Sequence, residues 1–203
     1  MSDKKTLIAV PAMDMCQTAF AYSLATLRRD CPSRISMVCG AAVHDARNAL
    51  AREAIESGCD RVLWLDSDMS FDDDLMIRLG EDLDAGWDMV CGIFFKRRLP
   101  VTPVIYKDIR AEDGRVEIYA DYPQGMVFPV AGCGFGAVLM TTGLLRSVCE
   151  AYGRPFNPMD RLSEDLSFCK RAETLGAKIG CDSRVKVGHV GQVTFGENMY
   201  RRT

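Results

Sequence analysis

The chain has 203 residues, 48% of them hydrophobic and 26% charged, enough to bury a substantial core within a single globular domain. No apolar run approaches the roughly 20 residues that cross a bilayer, and a net charge of -3 excludes a general attraction to nucleic acid or anionic membrane. Nine cysteines, odd in number and without a CxxC pair or a Cys/His cluster at zinc spacing, argue against a disulfide framework and a structural zinc site and read as reduced thiols.

The first five residues lead without a signal-peptide pattern into the apolar stretch Thr6 to Val10, so a cytoplasmic protein is expected. That stretch predicts a buried strand, Thr18 to Arg29 a weakly patterned helix broken before Pro32, and Arg34 to Cys39 a second strand. Asp45 reads as the N-cap of a helix whose apolar positions Ala46, Ala49, Leu50, Ala54 and Ile55 recur at three- and four-residue spacing until Gly58. Arg61 to Leu65 is a third strand. Ser70 or Asp72 then caps a helix with Leu75, Leu79 and Leu83 on one face, stopped by Gly86, and Met89 to Phe95 returns as a strand. Strands alternating with helices imply an α/β fold with a mostly parallel central sheet and helices on both faces.

From Pro100 onward the pattern changes. Val104 to Tyr106, Arg115 to Tyr119 and Met126 to Val130 are short strand-like pieces punctuated by Pro and Gly, which predicts a small antiparallel part. Phe135 to Met140 is a further strand and Leu144 to Tyr152 a helix; Ser163 caps another helix with Leu166, Cys169, Ala172 and Leu175 in register. Two short strands, Lys178 to Cys181 and Arg184 to Val187, precede His189. The basic clusters Lys96-Arg97-Arg98 and Arg201-Arg202 read as solvated surface charge.

Three places carry chemistry. In "VLWLDSDMSFDDDL" an apolar strand surfaces into Asp66-Ser67-Asp68. Ligands of open α/β sheets bind beyond the carboxyl ends of strands, and two carboxylates there suit Mg2+ or Mn2+ sharing its coordination shell with a diphosphate. The bland alternative is a turn that caps the next helix. In "SEDLSFCKRAETLGAKIG" Glu164 and Asp165 stand in a first helical turn, where the dipole alone stabilises acids, and where one facing a cleft can act as general base. In "VKVGHVG" His189 sits between glycines, either a satisfied structural imidazole or a further metal ligand.

Together, "LIAVPAMD", "HDARNALAREAIESGCDRVLWLDSD" and "SEDLSFCKRAETLGAKIGCDSRVKVGHVG" resemble, over nearly the whole chain, the GT-A glycosyltransferases, most closely those similar to family 2. The resemblance implies one GT-A-like, Rossmann-like domain, with residues 1–98 as the nucleotide-binding half and 99–203 as the acceptor and catalytic half. It implies that Asp66 and Asp68, with His189, hold Mn2+ or Mg2+, and that Asp165, with Glu164 beside it, is the base. It further implies that Pro11, Ala12 and Asp14 line a nucleobase pocket, that Arg47, Asp66 and Ser67 meet a UDP- or GDP-type sugar donor, and that Gly132, Cys133 and Gly134 border the acceptor site. The acceptor and the oligomeric state stay open.

The chain is short for that class and has no Gln-x-x-Arg-Trp motif, so non-processive transfer of a single sugar is expected; the resemblance further implies attack from the face opposite the departing diphosphate with Asp165 as base, which inverts the sugar. "GCGFGA" leads into an apolar strand rather than opening a helix, which argues against a dinucleotide fingerprint. Two rivals remain. The Asp-x-Asp loop also fits a haloacid-dehalogenase-like phosphatase, although there it normally opens the fold, and the protein can equally be a catalytically silent nucleotide-sugar binding module. A sugar-1-phosphate nucleotidyltransferase needs a Gly-rich loop after the first strand, which "VPAMDMCQ" does not supply.

Overall fold

The apolar run Thr6–Ala12 forms β1, buried along its whole length, and its alternate residues divide the core in two. Leu7 and Ala9 enter the larger apolar cluster and Ile8 and Val10 the smaller one, as the two-residue period of a strand requires. A computed structural model describes residues 4–191 of the chain; Arg201 and Arg202 lie outside the described residues.

In chain order β1 is followed by α1 (Thr18–Thr26), β2 (Ser33–Cys39), α2 (Val43–Glu56), β3 (Arg61–Leu65), β4 (Met69–Phe71), α3 (Leu75–Asp84) and β5 (Met89–Ile93). Then come β6 (Ile105–Ile109), β7 (Val116–Ile118), β8 (Val127–Pro129), β9 (Gly132–Cys133), β10 (Ala137–Thr141), α4 (Thr142–Tyr152), α5 (Glu164–Thr174) and β11 (Ile179–His189). The large sheet runs β2-β1-β3-β10-β5-β11-β4, with β8 also on β11, and a small antiparallel sheet runs β7-β6-β9. The expected α/β class with a small antiparallel part is what forms. Its large sheet is mixed, because β10 lies antiparallel between β3 and β5.

Helices cover both faces. α2, α4 and α5 supply Leu50, Ala54, Leu145, Val148, Phe168 and Ala172 to the larger cluster, and α1 and α3 supply Phe20, Met76 and Leu79 to the smaller. Trp64, fully buried on β3, packs edge-on against Phe156 with centroids 5.0 Å apart, and Phe156 stacks on Phe168 at 4.7 Å. This aromatic column ties β3, which ends in the aspartates, to α5, which begins with Glu164 and Asp165.

Several expected boundaries move. α1 ends at Thr26, not Arg29. Asp45 is not the cap of α2; the helix starts at Val43 and Asp45 lies in its first turn. Neither Ser70 nor Asp72 starts α3. Residues 69–71 pair with β11 as β4, and the helix begins only after Asp74. The two strands expected near the end are one, β11, whose pairing with β5 shifts register between Asp182 and Lys186.

Candidate active site

Asp66 follows β3 directly, its backbone N–H bonded to the Gly136 carbonyl at 3.1 Å, and a turn closes from Met69 N–H to the Asp66 carbonyl at 3.1 Å. The β4 and β11 pairing places His189 opposite Met69, while Val190 N–H donates to the Asp68 carbonyl at 2.8 Å. A strand end, a turn and the last residue of a second strand thus bring His189 to Asp68, two residues beyond Asp66. His189 Nε2 is 3.4 Å from Asp68 Oδ2. Its Nδ1 lies 2.9 Å from the Phe95 carbonyl, which only accepts, so this contact calls for a proton on Nδ1. Metal-binding histidines are oriented by such a carbonyl contact.

The second acidic pair arrives from the other side. Arg47, from α2 and only 2% exposed, donates through Nη2 to Asp66 Oδ1 at 2.9 Å and approaches Glu164 Oε1 with Nε at 3.5 Å. Its guanidinium also lies 5.1 Å above the centre of the Phe135 ring. Nε and Nη1 of Arg47 are buried with no hydrogen-bond partner, an expensive state for charged donors. Asp165 Oδ1 accepts from Leu166 N–H at 2.8 Å and from the Ser163 hydroxyl.

Asp66 feels this company. Burial, opposed by Arg47 but reinforced by the charges of Asp68, Asp165 and Glu164, pushes its carboxyl up to about 6. At Asp68 burial works against ionisation, yet contact with His189 and the charge of Arg97 hold the carboxyl below its usual range. Burial and the charge of Asp165 raise the Tyr106 hydroxyl to about 12, so it stays a donor. Four carboxylates facing two arginines leave an excess of negative charge, and with His189 Nε2 beside Asp68 the donors are of the hard-oxygen and imidazole types that divalent cations take. Among the described residues, no three or more His, Cys, Asp or Glu side chains stand as a group that could by itself hold a metal ion.

Beside the aspartates, a cleft of about 160 Å3 is lined by Pro11, Ala12, Met13, Ala41, Val43, Ala46, Asp66, Ser67 and Asp68. It lies beyond the carboxyl end of β1. Pro11, Ala12, Asp66 and Ser67 thus line one cleft, Arg47 lies beneath Asp66, and Asp14 is exposed and does not line the cleft. Gly132, Cys133 and Gly134 are buried. A Cβ on Gly132 would meet Ile109 at 2.5 Å, and one on Gly134 would meet Phe94 at 2.7 Å, so close packing accounts for these glycines. Sequence reasoning missed Arg97, whose Nη1 is 2.9 Å from Asp68 Oδ2, and Tyr106. Nothing local marks either residue, since both reach the site through loop and sheet pairing.

No protein-family model and no curated protein sequence matches the chain. Among solved structures the fold is similar to that of A197 from STIV, with a TM-score of 0.67 and 18% identity over 93% of this chain and 86% of that one. It is also similar to GalNAc-T7, crystallised with UDP, GalNAc and Mn2+, with a TM-score of 0.65 and 8% identity over 94% of this chain but 43% of that one. At such identities the likeness shows a fold, and the fold is GT-A-like. Among the described residues, no helix is long and apolar enough to cross a membrane.

Proposed function

We propose that the protein is a metal-dependent glycosyltransferase that moves a single sugar from a nucleoside-diphosphate sugar, of UDP or GDP type, to an acceptor hydroxyl with inversion. The observation that carries this reading is that the buried Arg47 joins Asp66 to Glu164, while Asp66 also feels the charges of Asp68 and Asp165 and Asp68 in turn meets His189, beside a cleft in a GT-A-like fold. The fold supports this reading over that of a haloacid-dehalogenase-like phosphatase.

Asp66, Asp68 and His189 would hold Mn2+ or Mg2+, which when bound neutralises charge on the departing diphosphate. The cleft from Pro11 to Ala46 takes the nucleoside, so residues 1–98 supply most of the donor site. Arg47 fixes Asp66 and Glu164 from beneath. Asp165, with Oδ1 engaged by its own helix start, accepts the acceptor's proton on the other oxygen as general base. Tyr106 stays protonated beside it.

Calorimetry of UDP and GDP binding tests the donor site. Binding should require Mn2+ or Mg2+ and fail in Asp68→Ala, and nucleotide affinity that is indifferent to both would end this reading. Sugar transfer to an acceptor then separates an enzyme from a silent binding module.

A further inference from the structure

The loop after β5 carries Lys96, Arg97 and Arg98, and its neck is closed by the Phe95–Pro103 bridge and by Lys96 N–H bonded to the Thr102 carbonyl at 2.9 Å. The three cations, with Leu99, Val101, His189 and Gly191, line a recess of about 420 Å3. Among the described residues the side chains of Lys96 and Arg98 have no ion-pair partner, whereas Arg97 is doubly engaged. Its Nη1 is 2.9 Å from Asp68 Oδ2 and donates to the Val190 carbonyl at 2.9 Å. Gly191 lies so close that a Cβ there would meet Arg97 Cδ at 3.1 Å.

Asp68 Oδ2 is also the oxygen nearest His189 Nε2. A divalent cation held by that oxygen and that nitrogen cannot share the oxygen with a guanidinium, because like charges at such range repel strongly. When the cation takes Asp68, Arg97 loses its carboxylate and joins Lys96 and Arg98 beside the recess. Among the described residues no carboxylate then compensates Lys96, Arg97 or Arg98, and three such positive charges at one mouth attract an anion of at least two charges.

We propose that Lys96, Arg97 and Arg98 form a binding subsite for a phosphate-type dianion, which becomes available when a divalent cation displaces Arg97 from Asp68. Cation and anion then bind with positive coupling, and the coupling is reciprocal: each raises the other's affinity by the same factor. The anion is either the donor's own diphosphate or an anionic group on the acceptor. This inference rests on the reading of Asp66, Asp68 and His189 as the cation site.

The test is titration of the full chain with Mn2+, followed by electron paramagnetic resonance, with and without sulfate at constant ionic strength. Sulfate serves as a dianion that chelates Mn2+ only weakly. In the wild type sulfate should tighten Mn2+ binding. Arg97→Met, which lacks the internal competitor, should bind Mn2+ alone more tightly, by roughly 5-fold or more on the usual scale of such couplings, with a reduced sulfate effect. The double variant Lys96→Met/Arg98→Met should bind Mn2+ alone as the wild type does and lose the sulfate effect. Saturating UDP or GDP identifies the source: it abolishes the sulfate effect if the subsite takes the donor's diphosphate and leaves it if the anion belongs to the acceptor. Arg97→Met binding Mn2+ no more tightly than the wild type, or a sulfate effect that survives in the double variant, overturns the proposal. If Asp68→Ala loses Mn2+ while Arg97→Met behaves as wild type, only this inference fails. If Asp68→Ala binds Mn2+ as the wild type does, the cation-site reading fails and the inference with it.

Discussion

Arg47 Nη2 donates to Asp66 Oδ1 across 2.9 Å, joining the second helix to the end of the third strand beneath the candidate site. The guanidinium is almost wholly buried. Removing one member of a buried pair strands the other charge in a poor solvent, at a typical cost of about 3–5 kcal/mol. Arg47→Met should lower stability by that order in urea unfolding and push the Asp66 carboxyl higher still. A loss below about 1 kcal/mol, the range of exposed pairs, would show that Arg47 does not bear on the fold.

A second acidic group sets a pH dependence far from the site. Arg184 Nη2 donates to Asp82 Oδ1 at 3.0 Å and, with Nε, to the fully buried Asp182 at 2.9 Å. Asp82 Oδ2 is buried without a donor. Burial, reinforced by Asp182, pushes the Asp82 carboxyl up to about 6. Because this folded value lies above the unfolded one, the native state binds the proton more tightly, and stability rises as pH falls from 7 through 6. Asp82→Asn mimics the protonated acid and should be more stable than wild type at pH 7, with a flatter dependence between pH 7 and 5. Parallel urea midpoints for the two proteins at three pH values check this; identical slopes would remove Asp82 as the source.

The thiols give an independent check on packing. All nine cysteines are unpaired, but only Cys16 and Cys39 are exposed, and Cys149 is intermediate. Alkylation under denaturing, non-reducing conditions should modify nine groups, as judged by intact mass. In the native state two should react fast, Cys149 more slowly, and the six buried thiols only on unfolding. Seven modified groups in the denatured chain would reveal a disulfide.

Much of this was legible in the residues themselves. The apolar runs of β1 and β3 and the spacing of Leu75, Leu79 and Leu83 declare their elements, and the surfacing of β3 at Asp66 marks the cleft. What was not legible is order in space. β10 looks like any buried strand, and only its partners decide that it runs antiparallel between β3 and β5. Residues 69–71 follow the aspartates like the start of a helix, but pairing with β11 wins and carries His189 to Asp68. Gly132 and Gly134 resemble a ligand loop, yet each answers to a neighbour's side chain. Arg97 belongs to a run that reads as surface charge, and only the folded chain brings it to Asp68.

Asp165 decides the chemistry. Its Oδ1 accepts from Leu166 N–H at 2.8 Å and from the Ser163 hydroxyl, and an asparagine oxygen can accept both. Asp165→Asn should therefore keep the melting temperature, bind Mn2+ and donor nucleotide as wild type does, and fail only at proton transfer. Loss of a general base typically costs on the order of 10² to 10⁴ in rate. Turnover of a UDP or GDP sugar, followed as nucleotide release in the presence of acceptor or as slow hydrolysis by water, should drop accordingly while calorimetric affinity stays constant. If Asp165→Asn instead melts several degrees lower and turns over normally, the residue serves only its helix. A phosphatase would demand a different nucleophile, with Asp66 carrying a phosphoryl group during turnover or, in its place, the analogue beryllofluoride. In a transferase Asp66 stays unmodified, so a phosphoaspartate at that position in the mass spectrum would overturn the assignment of both acids at once.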